Sequence, residues 1–398
     1  MHTTGSVPIM NFQLTEDQQL FASSVRRFAR DKLSQGALAR AHEPSYPWGI
    51  AQQLSAQGLL GILVPEEDGG IGGTLMDAVI AIQELALICP KSADVVQAGN
   101  FGAIRTFAEY ASPELKQRYL PGLLAGRELL ALGMSEPDAG SAVTELKTSA
   151  REDGDHYVIN GSKLFSTHSP DATVFLIYVR FGPGIGGIGS VIIERGTPGF
   201  EVGKPATFLS GEEWSPLYFD NCRIPKHNVL LGPGGFKKQI SGFNVERLGN
   251  SSRALALGRH AFNVAREHAL VRRQFGREIC EFQGIQWKFA EMAVKLDGAQ
   301  YLLYRAAYNA DRGLPSPYET AVAKLACNSA GFDCANEAIQ IMGGYGYSTE
   351  SLVEHCFKRT RGWMIAGGST EILKNRVAEE VLGRRFSQRP PKNQESGQ

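Results

Sequence analysis

The stretch FQGIQWKFAEMAVKLDGAQYLLYRAAYNADRG, residues 282–313, decides the fold class of this chain. Apolar residues recur in it at spacings of three and four over more than four helical turns, which is typical of a helix with a wide apolar face. The preceding stretch LALGRHAFNVAREHALVRRQ, residues 255–274, shows the same pattern, and a third such stretch runs from Tyr318 to Met342. Because long helices joined by short links pack side by side, we predict that residues 236–385 form an antiparallel four-helix bundle.

The pattern changes upstream, in residues 131–235, to short apolar runs separated by turn residues. Three of these runs are predicted to be strands: HYVING (156–161), VFLIYVR (174–180) and SVIIER (190–195). Asp153-Gly154 and Asn160-Gly161 are dipeptides typical of hairpin turns. We therefore predict a small antiparallel β-domain in the middle of the chain.

The first 130 residues return to helical periodicity. The stretch LTEDQQLFASSVRRFARDKL, residues 14–33, begins with a cap signature at Thr15, and Pro113 stands at the predicted first turn of a later helix. Residues 1–130 are thus predicted to form an N-terminal α-helical domain, and the polar residues 386–398 to be a disordered tail. The predicted fold class is α+β, mainly α, in the order helices, sheet, helices.

Composition restricts the classes of partner. The 398 residues carry 41 basic and 41 acidic side chains, and nucleic acid or an anionic membrane surface would favour clustered positive charge. The six cysteines form no C-x-x-C pair, which indicates free thiols and no zinc site. The first residues lack the basic start and apolar run of a secretory signal, and no apolar stretch approaches the roughly 20 residues that span a bilayer. We expect a cytoplasmic protein.

Chemistry is first indicated by the turn within Met134–Ser141, MSEPDAGS. Such a turn exposes backbone N–H groups and small hydroxyls, which can hydrogen-bond a polar heteroaromatic ring and its phosphates. Four further blocks follow along the chain: NGSKLFSTH (160–168), RRQFGR (272–277) leading into FQGIQ (282–286), QIMGGYGY (340–347) and IAGGSTEI (365–372). In this order and spacing the five blocks resemble the acyl-CoA dehydrogenase family over about residues 15–385.

The resemblance implies an acyl-CoA substrate, FAD as cofactor, a homotetramer built as a dimer of dimers, and reoxidation by an electron-transferring flavoprotein. It also implies two sets of FAD-contacting residues. The set expected to contact the flavin and adjoining phosphates within one subunit is Met134, Ser135, Ser141, Phe165 and Thr167. In the second set, the residues expected to reach the FAD of a neighbouring subunit are Arg272, Gln274 and Phe275. The same set includes Gln340, Gly343 and Gly344, which match the adenosine-binding turn, and Ser369 and Glu371, which match the last FAD-contacting segment of the chain.

Some of these residues depart from the family pattern or have a structural alternative. Phe165 stands where the family usually has Trp, and it could instead be strand core. Glu371 stands where Gln is often found. Arg272 could be a solvated helix charge, and Gly343 and Gly344 could simply end a helix.

The resemblance also bears on the catalytic base, a carboxylate that removes the α-proton while hydride leaves the β-carbon for flavin N5. In most of the family a Glu precedes the Gly-Ser or Gly-Thr of the last block, but here that residue is Gly367. A subset that includes isovaleryl-CoA dehydrogenase places its Glu on a helix of the C-terminal bundle, and FNVERL (243–248) matches that stretch with Glu246 and Arg247. The resemblance thus implies that Glu246 is the base, that Arg247 contacts CoA or a loop, and that the Gly367 N–H faces the thioester oxygen. Glu246 could instead be an exposed acid paired with Arg247 or Arg253, or one favoured by the helix dipole.

The sequence leaves open whether the reaction runs as dehydrogenation or reduction, and which acyl group is bound. The bundle also resembles crotonobetainyl-CoA reductase, which pairs the same early Glu with a late Gly and favours reduction of an enoyl-CoA. A non-oxidative offshoot acting on a sulfinate is disfavoured by the carboxylate at Glu246, and a flavin-free structural paralogue is the alternative from a different class. The wall of the acyl pocket is expected from the segment Val95–Phe107 and from the loop near Trp363 and Ala366.

Overall fold

A computed structural model describes residues 13–312 and 316–388, and its first part is helical. Seven α-helices precede the sheet: α1 (Glu16–Phe28), α2 (Ala37–His42), α3 (Trp48–Ala56), α4 (Leu75–Ala86), α5 (Pro90–Ala98), α6 (Ala103–Tyr110) and α7 (Pro113–Leu124). Thr15 caps α1 through a capping box with Gln18, and Pro113 opens α7, as predicted. Helix α4 is buried on nearly all sides because α1, α5 and two long helices of the last part of the chain surround it.

The middle part is a twisted sheet of nine strands. They are β1 (Leu130–Gly133), β2 (Ser149–Asp153), β3 (His156–Thr167), β4 (Val174–Arg180), β5 (Ile188–Glu194), β6 (Phe200–Val202), β7 (Ala206–Thr207), β8 (Glu213–Pro225) and β9 (Val229–Leu231). The order is β6-β8-β3-β2-β4-β5-β9, with β1 beside β4 and β7 beside β8. Most pairs are antiparallel, but β1 runs parallel to β4.

One of the two predicted hairpin dipeptides is confirmed and the other is wrong. Asp153-Gly154 joins β2 to β3, with Asp153 opposite His156. Asn160-Gly161 instead lies inside β3, where the register to β8 shifts. Tertiary contacts override the local turn preference here: the Asn160 side chain accepts a hydrogen bond from Asn221 N at 2.9 Å, and a Cβ on Gly161 would lie 2.7 Å from the Cα of Thr148.

The last part is a helical bundle. Its elements are α8 (Phe236–Val271), the hairpin β10 (Arg273–Gln274) and β11 (Arg277–Glu278), α9 (Gln283–Ala310), α10 (Pro317–Met342), α11 (Gly344–Tyr347), α12 (Leu352–Trp363) and α13 (Thr370–Val381). Helix α9 runs antiparallel to α10, since Lys295 pairs with Asp333. Helices α8 and α10 cross closely at Gly258, where a Cβ would lie 2.7 Å from the Cα of Gly331. The predicted fold class is therefore confirmed.

A buried ionic cluster joins all three parts. The guanidinium of Arg359 in α12 pairs with Asp94 of α5 at 2.7 Å and with Glu212, which immediately precedes β8. Arg253 of α8 pairs with the other oxygen of Asp94 at 2.8 Å. The ring of Trp363 lies near both guanidinium groups, 4.7 and 4.8 Å from its centroid.

Four further sequence expectations concern the chain as a whole. The domain boundaries stay predictions. Residues 386–388 have no regular secondary structure, and the rest of the predicted tail lies outside the described residues. All six cysteines are free, and five of them are buried. Over the described ranges, no helix combines the length and the apolar character needed to cross a bilayer.

Candidate active site

Glu246 lies in the third turn of α8, and its carboxylate points toward the N-terminal helices. Gln97, in the last turn of α5, donates from Nε2 to Glu246 Oε1 at 2.8 Å. The other oxygen, Oε2, is buried and has no hydrogen-bond partner among the described residues. A Cβ on Gly102 would lie 3.1 Å from Oε2, so the glycine leaves space beside this oxygen. The carboxylate thus has one oxygen anchored and one available for chemistry.

The surroundings of Glu246 favour its protonated form. Burial raises the pKa of Glu246 to about 7, although the charge of Arg253, the hydrogen bond from Gln97 and the charge of Lys324 act in the opposite direction. Arg253 pairs with a buried aspartate of α5 rather than with Glu246, and Arg247 donates to a neighbouring asparagine. The interpretation of Glu246 as an exposed, ion-paired or first-turn acid therefore does not describe this site.

A buried lysine holds the loop that follows α12. Lys324 of α10 has no exposed surface. Its Nζ donates at 2.7–3.0 Å to three backbone carbonyl oxygens, those of Trp363, Ala366 and Gly368. Burial and the charge of Arg247 lower the pKa of Lys324 to about 7, although the charge of Glu246 acts in the opposite direction. One ammonium group therefore fixes the position of the loop that contains Gly367.

Gly367 lies against the same face of α8 as Glu246. Its φ is +69°, a conformation that favours glycine. A Cβ on Gly367 would lie 3.6 Å from Asn250 Nδ2 and 3.8 Å from Lys324 Cε. Asn250 is four residues after Glu246, and residues at this spacing are neighbours on a helix. The structure therefore brings Glu246 and Gly367 to one place.

The remaining predicted residues of this region border the same loop. A guanidinium nitrogen of Arg247 lies 3.7 Å from the position of a Cβ on Gly368, so Arg247 contacts the loop. Ser369 caps α13 by accepting a hydrogen bond from the Ile372 N–H. Glu371 is exposed in the first turn of α13, where backbone hydrogen bonding lowers its pKa. Ser369 and Glu371 thus stand at a helix N-terminus, which favours anionic groups.

The end of β1 and the bulged half of β3 hold the first two sequence blocks together. Leu164 N donates to Ser135 O at 2.8 Å, and Lys163 Nζ donates to Met134 O at 3.3 Å. Lys163 also pairs with Glu136 at 2.7 Å, and both side chains are buried. This ion pair fixes the turn after Met134, although the sequence interpretation named neither of its members.

Phe165 and Thr167 project from this region into solvent. Phe165 sits at a β-bulge with a φ of 58° and is 56% exposed, so it is not strand core. Its ring centroid lies 4.7 Å from that of Trp214, which packs beside it. Thr167 and Ser141 are exposed as well. A left-handed, exposed aromatic residue is typical of a functional site, because the strained backbone presents the ring.

The other predicted FAD residues lie at the opposite end of α8. Arg272 follows the last residue of α8, 26 residues after Glu246, which at 1.5 Å per residue places it about 39 Å away. Gln274 and Phe275 belong to the adjoining hairpin, where Phe275 has a φ of 52° and is 93% exposed. Gln340, Gly343 and Gly344 lie at the same end, because Tyr345 stacks on His268 of α8. Gly343 does end α10, with a φ of +63°.

Besides Lys163 and Glu136, three residues around Glu246 were not named from the sequence, although Gln97 lies within the segment Val95–Phe107 expected to form the pocket wall. Gln97, Asn250 and Lys324 each contact Glu246 or the Gly367 loop. Asn250 could have been found from its four-residue spacing to Glu246. Lys324 could have been noticed as the one charged residue within the apolar run AVAKLAC (321–327) of α10. Gln97 offers no local signal, because its role depends on how α5 packs against α8.

Sequence comparison covers nearly the whole chain with three consecutive family models. They are described as the acyl-CoA dehydrogenase N-terminal domain (residues 15–127), middle domain (131–222) and C-terminal domain (233–382). The chain belongs to the acyl-CoA dehydrogenase family. Members of this family bind FAD, and its named dehydrogenases are oxidoreductases, the enzyme class to which the chain is assigned.

Three relatives illustrate the range of named activities. The chain is 34% identical to a short-chain specific acyl-CoA dehydrogenase of Clostridium acetobutylicum, over 94% of this chain and 100% of the relative. It is 35% identical to an acryloyl-CoA reductase (NADH) of Anaerotignum propionicum, over 94% of this chain and 97% of the relative. It is 32% identical to a 3-sulfinopropanoyl-CoA desulfinase of Paraburkholderia xenovorans, over 95% and 99%. The family relationship supports an acyl-CoA substrate.

Solved structures agree with this assignment. A glutaryl-coenzyme A dehydrogenase in complex with glutaryl-CoA superimposes with a TM-score of 0.90 at 31% identity, over 96% of this chain and 98% of that one. The FAD complex of PigA superimposes with a TM-score of 0.89 at 27% identity, over 94% of this chain and 99% of that one. A structure of the electron transferring flavoprotein of Acidaminococcus fermentans gives 0.88 at 30% identity, over 94% and 100%.

The residues present fit FAD. The exposed ring of Phe165, which packs against the half-buried ring of Trp214, offers an apolar surface for a heteroaromatic ring. The hydroxyls of Ser141 and Thr167 are exposed near the turn after Met134 and the end of β3. The α13 N-terminus at Ser369 suits a phosphate-bearing group. The donor set is therefore that of a phosphate-bearing heteroaromatic ligand.

Proposed function

We propose that this chain catalyses the FAD-dependent α,β-dehydrogenation of an acyl-CoA thioester to the trans-2-enoyl-CoA, with Glu246 taking the α-proton. The observation that carries the proposal is the state of Glu246 Oε2, which is buried and unpartnered among the described residues. Burial also raises the pKa of this carboxyl to about 7. A carboxylate with a raised pKa is a stronger base, and a pKa near 7 suits proton transfer at neutral pH.

The neighbours of Glu246 have supporting roles in this proposal. Gln97 holds Oε1, which leaves Oε2 to meet the α-carbon. A thioester α-proton becomes acidic enough only if the developing enolate oxygen is stabilised, and the backbone N–H of Gly367 is the proposed donor. Lys324 acts through that loop as a positioning residue, because it binds the carbonyls on both sides of Gly367. Bound FAD supplies the acceptor for the β-hydride at N5.

The two sets of predicted FAD residues support an assembly of several subunits. Met134, Ser135, Ser141, Phe165 and Thr167 are proposed to bind the flavin of their own subunit. Those near the far end of α8, about 39 Å from Glu246, are proposed to bind the FAD of a neighbour: Arg272, Gln274, Phe275, Gln340, Gly343 and Gly344. Ser369 and Glu371 complete the site.

Exposed side chains on α9 support the same proposal. Trp287, Val294, Tyr301 and Tyr308 are exposed at seven-residue intervals along this helix, which is the spacing of a helix-packing seam. We propose that this apolar stripe is covered in a homotetramer. An electron-transferring flavoprotein is the proposed electron acceptor, as the resemblance to the family implies.

A second candidate is the reverse reaction, reduction of a 2-enoyl-CoA. The relative named acryloyl-CoA reductase, at 35% identity, favours it, as does the combination of Glu246 with Gly367. Desulfination, the activity named for a third relative, receives less support because the carboxylate at 246 is suited to proton abstraction.

The decisive experiment is anaerobic flavin reduction by acyl-CoA thioesters, followed at the flavin absorbance near 450 nm. Wild-type holoprotein is expected to bleach with at least one thioester, while Glu246→Gln is expected to lose at least about 10³-fold in rate because the base is absent. Glu267→Gln is the matched control, since Glu267 is an exposed acid on the same helix.

Two results would contradict the proposal. Bleaching of Glu246→Gln at the wild-type rate would show that another group takes the proton. A holoprotein that dithionite bleaches but no acyl-CoA does would reject dehydrogenation. Reoxidation of the reduced protein by 2-enoyl-CoAs then tests the reductase.

A further inference from the structure

The seam between α5 and α8 closes directly beyond Glu246. Almost one turn along α8, a Cβ on Gly249 would overlap the amide of Gln97 and lie 2.8 Å from Cδ2 of Phe101. Another turn along, Arg253 pairs with Asp94 at 2.8 Å. The Gln97, Phe101 and Asp94 side chains are all buried. Helices packed this closely leave no channel between them for a long alkyl chain.

Two amide side chains beside Glu246 are buried with incomplete hydrogen bonding. Asn250 is 3% exposed, its Oδ1 has no partner among the described residues, and its Nδ2 lies 3.6 Å from the position of a Cβ on Gly367. Gln97 is 5% exposed, and its Oε1 likewise has no partner among the described residues, while its Nε2 donates a hydrogen bond to Glu246. A buried polar atom without a partner costs about 1–3 kcal/mol. Such atoms are uncommon in native proteins, and a bound water molecule or a ligand group can complete their hydrogen bonds.

From these two observations we infer that the acyl group is short and carries a hydrogen-bonding substituent at its far end. The inference rests on the proposed function, because it takes Glu246 Oε2 as the atom that meets the α-carbon. From Glu246 to the closure at Gly249 and Asn250 the helix advances about 5 Å, which admits an acyl chain of about four carbons. A terminal hydroxyl both donates and accepts, so it can complete the hydrogen bonds of an amide in either orientation.

Four thioesters test the inference in anaerobic stopped-flow flavin reduction of the holoprotein: butanoyl-, pentanoyl-, 4-hydroxybutanoyl- and octanoyl-CoA. Pentanoyl-CoA is the matched control for 4-hydroxybutanoyl-CoA, because a methyl group replaces the hydroxyl at the same chain length. Butanoyl-CoA is expected to exceed octanoyl-CoA by at least about 100-fold in second-order rate constant. 4-Hydroxybutanoyl-CoA is expected to exceed pentanoyl-CoA by at least about tenfold, since an alkyl end leaves the buried amides unpaired.

Variants assign the preferences to the two amides. Asn250→Leu keeps the branched shape and the number of heavy atoms but removes both polar groups, and it is expected to lower the hydroxybutanoyl-to-pentanoyl ratio about tenfold. Asn336→Leu, at an exposed position of α10, leaves the ratio unchanged. Gln97→Ala is expected to raise the octanoyl-to-butanoyl ratio at least about tenfold by opening the seam. Ratios between substrates cancel any general loss of rate that a variant causes.

The outcomes separate this inference from the proposed function. If octanoyl-CoA reduces the flavin as fast as butanoyl-CoA, or pentanoyl-CoA as fast as its hydroxy analogue, the inference is overturned while dehydrogenation stands. If no thioester reduces a flavin that dithionite bleaches, both are overturned. The expected order of the four thioesters, lost in the Asn250 and Gln97 variants and kept in the control, supports the inference.

Discussion

Replacing Glu246 by glutamine is expected to stabilise the protein above neutral pH while it abolishes flavin reduction. The carboxyl has a pKa of about 7 in the folded protein against an ordinary value of 4.5. As pH rises, the unfolded chain loses this proton first, so between pH 4.5 and pH 7 the folded state binds more protons than the unfolded state. The free energy of unfolding of the wild type therefore falls through this window.

The size of the effect follows from the two pKa values. They differ by about 2.5, and each unit corresponds to about 1.4 kcal/mol, so the wild type loses roughly 3 kcal/mol between pH 4.5 and 7. Glutamine has no charge to bury and does not lose this stability. The stability of Glu246→Gln relative to wild type should thus increase by up to about 3 kcal/mol from pH 4.5 to 8 and stay constant above that.

Urea unfolding of the holoprotein at pH 5, 6, 7, 8 and 9 measures this difference. Protein and FAD concentrations must be equal throughout, because association and ligand binding add to the apparent stability. Glu267→Gln, on the exposed face of the same helix, should show a difference from wild type that changes little with pH. A Glu246→Gln difference that is flat or decreases with pH would refute the buried, high-pKa carboxylate.

Three further predictions concern the same site. Flavin reduction by a good acyl-CoA should rise about tenfold per pH unit below pH 7 and level off above it, as Glu246 loses its proton, and a flat profile from pH 5 to 8 would contradict this. Lys324→Met should lower the free energy of unfolding by about 2–4 kcal/mol, because the carbonyls of Ala366 and Gly368 lose their donor while that of Trp363 keeps a second one from Asn328. Lys288→Met, at a half-exposed ion pair, should lower it by less than about 1 kcal/mol. Equal stabilities of the two variants in urea would reject the role of Lys324. Gly367→Ala should lower the free energy of unfolding by about 1–2 kcal/mol, because the φ of residue 367 is +69°. Gly284→Ala is the control: it lies in a helix with open space around the Cβ position and should be neutral or stabilising. Equal melting temperatures of the two variants would show that the Gly367 loop adapts.

The main features of the fold could be predicted from the sequence because they depend on local patterns. The apolar periodicity of 282–313 corresponds to α9 (Gln283–Ala310), and VFLIYVR corresponds to β4 residue for residue. Asn160-Gly161 was misinterpreted because its environment is tertiary: a neighbouring strand supplies the hydrogen bond that keeps these residues in a sheet. Turn preference is a weak local energy, and a paired strand outweighs it.

The candidate site could be predicted where it depends on single residues in motifs. Glu246 and Gly367 are far apart in sequence, yet the structure places both against one face of α8. The contacts of Gln97, Asn250 and Lys324 could not be predicted, although the spacing of Asn250 from Glu246 and the charge of Lys324 in an apolar run are visible in the sequence. These contacts come from helix packing and from backbone carbonyl groups, which every residue has. The exposure of Phe165 was equally hidden, since a bulge reverses the side that an alternating strand would assign to it.

Because Arg359 takes its two carboxylate partners from different parts of the chain, this protein is not modular. Removing one member of a buried ion pair costs about 3–5 kcal/mol, since the other charge stays desolvated. A fragment that ended after α7 would retain Asp94 without its two guanidinium groups, and an isolated sheet would retain Glu212 without Arg359. Recombination with another member of the family therefore has to exchange this charge cluster as a set, and the three parts are expected to unfold in a single cooperative transition.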